Sequence, residues 1–144
     1  MNQIFHTKKT VTFREADPAK IMFFGNIFAF AHDAFEQFLP AAGYTWKEWF
    51  HNTNYLIPIR HTEGDFNAPF LPGETYDIAV TVASFGTTSF KMRYIFSKDK
   101  KTHAEVTMVH SLLDGKTHQK TPLPETFKTR FGPFLESGES HGRV

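Results

Sequence analysis

An Asp-Pro pair, Asp17 and Pro18, leads through a short apolar stretch at residues 21–24 into a segment with helical spacing. A carboxylate just before a helix start has two kinds of use. As a turn residue, Asp ahead of Pro closes the chain through its own side-chain oxygen. As a reagent, it sits beside the unpaired N–H donors of the first helical turn, which carry about half a positive charge between them. Such donors stabilise a developing oxyanion, and the carboxylate supplies a nucleophile or base. A loop of Ile21, Met22, Phe23 and Phe24 is apolar where a surface loop is usually polar. It is therefore expected to line a cavity or interface with Asp17 at its mouth.

Other chemistries find less support. The eight histidines show no H-x-H, H-x-x-x-H or HExxH spacing, so no metal site is expected. There is no cysteine, which removes thiolate catalysis and disulfides, and no G-x-S-x-G elbow. The run from Asp114 to Thr117 ends like a phosphate loop, but His110 stands where the first glycine belongs, so it reads as a turn. His32, Asp33 and Glu36 read as a solvated helix face.

The elements that must hold Asp17 follow from periodicity. Ile27, Phe30, Ala31, Ala34, Phe35, Phe38 and Leu39 recur at helical spacing, and Phe28 widens the stripe to about half the circumference. A helix over residues 25–39 is predicted, half enclosed by a curved sheet. Asn26 has N-cap chemistry, which would start that helix after Phe24. Pro40 and Gly43 end it, and residues 45–50 add a further helical turn. Period-two alternation predicts strands at residues 10–14, 76–83, 90–96 and 104–113, with a less regular one at 55–66 in which Pro58 suggests an edge or bulge. A short helix is expected at residues 124–131. The plan is α+β: an antiparallel sheet of five to six strands around one long helix.

At 144 residues, 40% hydrophobic and 22% charged, the chain has the size and balance of one globular domain, expected over residues 1–135 with a flexible tail at 136–144. A net charge of +1 offers no footprint for nucleic acid or anionic membrane, which leaves a small molecule or a protein as partner. No secretory leader is read at the N-terminus, so a cytoplasmic location is expected. Seventeen phenylalanines exceed what a small core needs and predict a homo-oligomer, dimer or tetramer, or a ligand pocket.

The segment FREADPAKIMFFGNIFAFAHDAF, residues 13–35, resembles the active-site loop and central helix of the 4-hydroxybenzoyl-CoA thioesterase family of hot-dog-fold proteins. The likeness rests on Phe13, the D-P-A-x-I run at Asp17, Pro18, Ala19 and Ile21, the aromatics Phe23 and Phe24, and Asn26. FNAPFLPGETYDIAV after the helix follows that family's strand order. The resemblance implies an acyl-CoA thioesterase with no cofactor, coenzyme A entering as part of an aryl- or short- to medium-chain acyl substrate. It makes Asp17 the catalytic carboxylate and the Phe24 N–H, with Gly25 beside it at the helix entry, the oxyanion site. Met22, Phe23, Asn26 and Phe28 would contact the substrate.

Two positions depart from the family pattern. Lys20 stands where glycine is common, and GTTSF at residues 86–90 lacks the basic residues that hold coenzyme A phosphates. Lys91, Arg93 and Lys98 are the candidate replacements, with Lys100 and Lys101 behind them. Three further readings stand beside the leading one: a thioesterase acting on acyl carrier protein, a dehydratase or hydratase, and a non-catalytic module binding an acyl thioester or aromatic ligand. The dehydratase needs a histidine near the loop, and none lies between Asp17 and Ala31.

Overall fold

The computed structural model describes residues 2–137. Helix α1 (Asn26–Ala41) buries Ile27, Phe30, Ala31, Ala34, Phe35, Phe38 and Leu39, the seven positions that the spacing picks out. Its cover is a five-stranded antiparallel sheet of β1 (Phe5–Thr10), β4 (Thr75–Phe85), β5 (Ser89–Lys98), β6 (Lys101–Ser111) and β3 (Ile59–Phe66), in that spatial order. Alternate residues face the helix: Tyr76, Ile78, Val80 and Val82 from β4, Phe90, Met92, Tyr94 and Phe96 from β5, Ala104, Val106 and Met108 from β6. All are buried. Each large apolar side chain so enclosed contributes about 1.5–3 kcal/mol, so this interface dominates the fold's stability. β2 (Tyr55–Leu56) and β7 (Leu113–Asp114) pair apart from the main sheet.

The first strand differs from expectation. Alternation predicts residues 10–14, but β1 ends at Thr10 and residues Phe13–Glu15 form a 3-10 turn. The T-x-x-E pattern of Thr12 and Glu15 is the reason: the Glu15 carboxylate accepts the Thr12 N–H at 2.8 Å, the reciprocal bond of a capping box. Phe13 is consequently not a strand end but 90% exposed. The irregular stretch at 55–66 divides at Pro58 into β2 and β3, and β3 lies on the sheet's edge with a register shift between Ile59 and His61. Helices α2 (Trp46–Phe50) and α3 (Glu125–Phe131) stand where the sequence suggests.

Glu136, the first residue assigned to the tail, is tied to the sheet. Its N–H donates to the Val82 carbonyl at 2.9 Å, and its carboxylate accepts from Thr81 and Arg93, both at 2.7 Å. The rest of that tail, residues 138–144, lies outside the described residues.

Among the described residues three buried ones are polar, Thr107, His110 and Ser111, and His110 is the most enclosed. His110 on β6 is sandwiched between Phe35, 4.9 Å away, and Phe90, 4.7 Å away and nearly parallel, and neither ring nitrogen has a hydrogen-bond partner among the described residues. Burial, with a smaller contribution from the charge of His32, pushes its pKa from 6.5 down to about 3. Between those values the unfolded chain binds a proton that the folded chain refuses, so stability falls as pH falls. Each pH unit in that window costs ~1.4 kcal/mol. Urea unfolding followed from pH 6.5 to 4.5, above the main carboxylate range, is expected to show this slope, and His110→Phe to flatten it.

Candidate active site

The loop ahead of α1 is a small hairpin. The Asp17 N–H donates to the Ile21 carbonyl at 2.9 Å, the Phe23 N–H to the Glu15 carbonyl at 2.9 Å, and Ala16 bridges Met22. Residues 18–20 make the turn, closed by the Lys20 N–H on the Asp17 carbonyl at 2.8 Å. Lys20 has φ of 68°, the left-handed region that favours glycine. That accounts for the glycine common at this place in the resembling family, and the lysine side chain reaches no partner among the described residues.

Asp17 serves the turn and keeps capacity beyond it. Its Oδ1 accepts the Ala19 N–H at 2.8 Å, and Oδ2 has no partner among the described residues. The turn bond fixes the carboxylate and leaves one oxygen free. At the hairpin's other end, the amides of Met22, Phe23, Asn26 and Ile27 all donate to carbonyls, while those of Phe24 and Gly25 donate to none among the described residues. Gly25 has helical φ and ψ of −64° and −21°, so these two open amides belong to the first turn of α1. Asp17 is about two residues of extended chain, ~7 Å, from the Glu15 carbonyl that grips this turn. The carboxylate and the pair of open donors thus belong to one short hairpin, Asp17 at its turn and the amides where it enters the helix. Asn26 does not cap the helix. Its side-chain amide donates to the Glu15 carbonyl at 3.1 Å.

Beside the hairpin runs an apolar groove of about 480 Å³, walled by Ile21, Met22 and Phe24 on one side and by the segment from Phe66 to Phe70 on the other. Of the expected substrate contacts, Met22 is buried and lines this groove, while Phe23 packs against Phe24, the tilted rings 5.0 Å apart, and is half exposed. Phe28 instead packs against the core, where a side chain at Gly64 would touch its ring. Phe66 and Phe70 went unnoticed in the sequence because the β3 crossover, not local pattern, brings them here. A larger cleft of about 720 Å³, walled by Tyr44, Trp49, Tyr55, Leu112 and Phe127, lies past the C-terminus of α1. The helix is about 24 Å long, so that cleft is remote from Asp17.

The candidate phosphate cations do not gather. Lys91 and Lys98 are seven residues apart on β5, about 23 Å. Lys91 and Arg93 point away from α1, and Arg93 is held by Glu105 and Glu136. Lys98 pairs with Glu74 at 3.1 Å. The helix carboxylates are also remote. Asp33 is exposed about 13 Å along α1 from Phe24, and Glu36 faces His32 at 3.7 Å.

A sheet folded on one long helix, with a carboxylate in the loop ahead of open amides at the helix entry, holds the groups that acyl transfer to water can use. Residues 11–131 match the model of the thioesterase-like superfamily. The chain belongs to that family and is a thioester hydrolase of the hot-dog fold. It is 30% identical over 118 residues to the 1,4-dihydroxy-2-naphthoyl-CoA hydrolase of Crocosphaera subtropica, covering 80% of this chain and 86% of that one. To the enzyme of the same name from Synechococcus elongatus it is 25% identical over 122 residues, 84% of this chain and 90% of that one. The crystal structure of a 1,4-dihydroxy-2-naphthoyl-CoA thioesterase from Synechocystis superposes with a TM-score of 0.81 at 20% identity, over 90% of this chain and 96% of the other, which supports the fold.

A side chain at Gly25 would place its Cβ 2.9 Å from the Phe23 ring. The backbone there suits any residue, so Gly25→Ala displaces an exposed ring and keeps both amides open. Turnover is expected to stay within about threefold while KM rises about three- to tenfold, the signature of lost uniform binding. Steady-state kinetics on an aroyl-CoA check it.

Proposed function

We propose that this protein hydrolyses aryl- or short- to medium-chain acyl-CoA thioesters, with Asp17 as the reacting carboxylate and the Phe24 and Gly25 amides as the oxyanion site. The observation that carries this is an Asp17 Oδ2 and two helix-entry amides in the same hairpin, all without a partner among the described residues. The groove beside them is apolar, which suits an aryl or alkyl group, and the named relatives act on an aroyl-CoA. Coenzyme A enters as the substrate's carrier, and no further cofactor is required.

In the reaction, Asp17 attacks the thioester carbonyl carbon or takes a proton from the water that does. The carbonyl oxygen gains negative charge and is met by the open amides. One such donor is worth about two to three orders of magnitude in rate. The carbon–sulfur bond then breaks, and the thiolate takes up a proton to become the free thiol. Thiols ionise near pH 8.5, so the sulfur leaves readily and no strong acid is needed. One water is consumed by either route.

Asp17→Asn tests the assignment. Asparagine retains the oxygen that accepts the Ala19 N–H, so the turn survives while the charge is lost. Hydrolysis is expected to fall at least about a hundredfold with little change in melting temperature. Asp33→Asn and Glu36→Gln are expected to stay active, and near-normal turnover in Asp17→Asn would reject the mechanism.

The same reading makes the protein a cytoplasmic homo-oligomer, dimer or tetramer. β3 offers an eight-residue edge that is exposed along nearly its whole length, open to pairing with a second copy. Phe13, Phe23, Phe24, Phe66 and Leu71 are exposed near the same end of the sheet, more apolar surface than a monomer usually leaves uncovered. Among the described residues no helix is long and apolar enough to cross a membrane. Sedimentation at micromolar concentration is expected to give at least twice the 16.6 kDa chain mass, and a 16.6 kDa species would contradict the assignment.

A further inference from the structure

We infer that Lys9, Glu15 and Asn26 form a clamp that positions the Asp17 carboxylate against the Phe24 and Gly25 amides, which makes Asn26 a positioning residue instead of a substrate contact. The inference rests on the thioesterase reading of this site. Its basis is a closed ring of interactions that includes the carbonyl gripping both flanks of the two open donors.

The Glu15 carbonyl accepts two bonds, from the Phe23 N–H at 2.9 Å and from the Asn26 side-chain amide at 3.1 Å. These donors flank Phe24 and Gly25, so one carbonyl grips the helix entry on both sides of the amides it leaves open. Glu15 is itself fixed through its carboxylate, which accepts the Thr12 N–H at 2.8 Å and Lys9 Nζ at 3.1 Å. The Lys9–Glu15 pair is sheltered, with side chains 27% and 16% exposed. Burial works to raise the Glu15 pKa, yet the bonds from Thr12 and Lys9 outweigh it and hold the carboxyl below its usual value. The Lys9 ammonium also stands 4.6 Å over the ring of Phe30, one helical turn beyond Asn26. The ring thus runs from Asn26 along α1 to Phe30, across to Lys9, into Glu15 and back to Asn26.

Asp17 follows Glu15 by two residues in the hairpin, so the position of Glu15 sets where the carboxylate stands relative to the amides. No member of the clamp need touch substrate. Its contribution is geometric, and displacement of reacting groups by about 1 Å can cost about a hundredfold in rate.

Asn26→Asp keeps the side chain's shape but replaces the donor facing the Glu15 carbonyl with an acceptor. Its expected effect is a fall of about ten- to a hundredfold in kcat with KM little changed. A second readout separates positioning from a structural role. Phenacyl-CoA, a ketone with a methylene between carbonyl and sulfur, cannot be hydrolysed, and its carbonyl stretch shifts to lower frequency when it accepts hydrogen bonds. In the folded variant that shift is expected to shrink while the analogue still binds. Should Asn26→Asp fail to fold, Lys9→Met probes the same ring from the other side. It is expected to lower kcat, with Lys9→Arg restoring it, since a guanidinium can both pair with the carboxylate and cover the Phe30 ring. Wild-type kcat and a full carbonyl shift in folded Asn26→Asp or Lys9→Met, with Asp17→Asn inactive, would overturn the clamp alone. If Asp17→Asn is active as well, the reaction assignment falls and the clamp with it.

Discussion

The constraint on which the rest depends is that a single sheet must bury the broad apolar stripe of a single helix. Seven side chains of α1, from Ile27 to Leu39, are held against the inner faces of β4, β5 and β6. A helix fixed along its length has a fixed entry. The amides of its first turn therefore project at one end of the sheet, pre-oriented and not free to turn toward solvent. An oxyanion site of this kind needs no reorganisation when charge develops, and its donors are worth more than the same groups in water. In the proposed reaction the core thus supplies part of the chemistry, through rigidity and not through any reactive group of its own.

The loop ahead of this entry has Asp17 close a turn, and the proposed reaction gives the same residue a second use. One oxygen closes the turn on Ala19, and that bond aims the other. Lys20 takes a left-handed conformation to complete the turn, which costs on the order of 1 kcal/mol for a residue with a Cβ. The surrounding bonds supply the compensation: Asp17 to Ile21, Phe23 to Glu15, Met22 to the Phe70 carbonyl. Turn residue and reagent are compatible descriptions because a carboxylate has two oxygens.

What the sequence disclosed and what it hid follow the range of each interaction. The long helix was legible because seven apolar residues repeat at 3.6, and strands β4, β5 and β6 because inward and outward residues alternate. β1 was misplaced because FHTKKT is polar on both sides of its alternation, as suits an edge, while the T-x-x-E signal that ends it was overlooked. Asp17 was visible as a type in a context. The side-chain bond of Asn26 was not, because its partner is a main-chain carbonyl eleven residues away, and carbonyls leave no trace in composition. The groove wall from Phe66 to Phe70 depends on β3 reaching the far edge of the sheet, a long-range fact of topology. Lys91, Arg93 and Lys98, the candidate replacements for the phosphate-binding residues, are near in sequence, but a strand separates residues by about 3.3 Å each and alternates their faces.

The account turns on whether this site breaks thioesters or only holds them, and thiol release measures that directly. Wild-type protein would be offered a panel of aryl, short, medium and long acyl-CoAs, with the same acyl groups carried on acyl carrier protein in parallel. The account predicts saturable release of free coenzyme A thiol, matched mole for mole by the carboxylic acid and fastest with an aryl or a short- to medium-chain acyl group. Release from the carrier protein alone would move the activity to a different partner. Saturable binding of acyl-CoA with no thiol released would contradict the account and leave a binding module in its place.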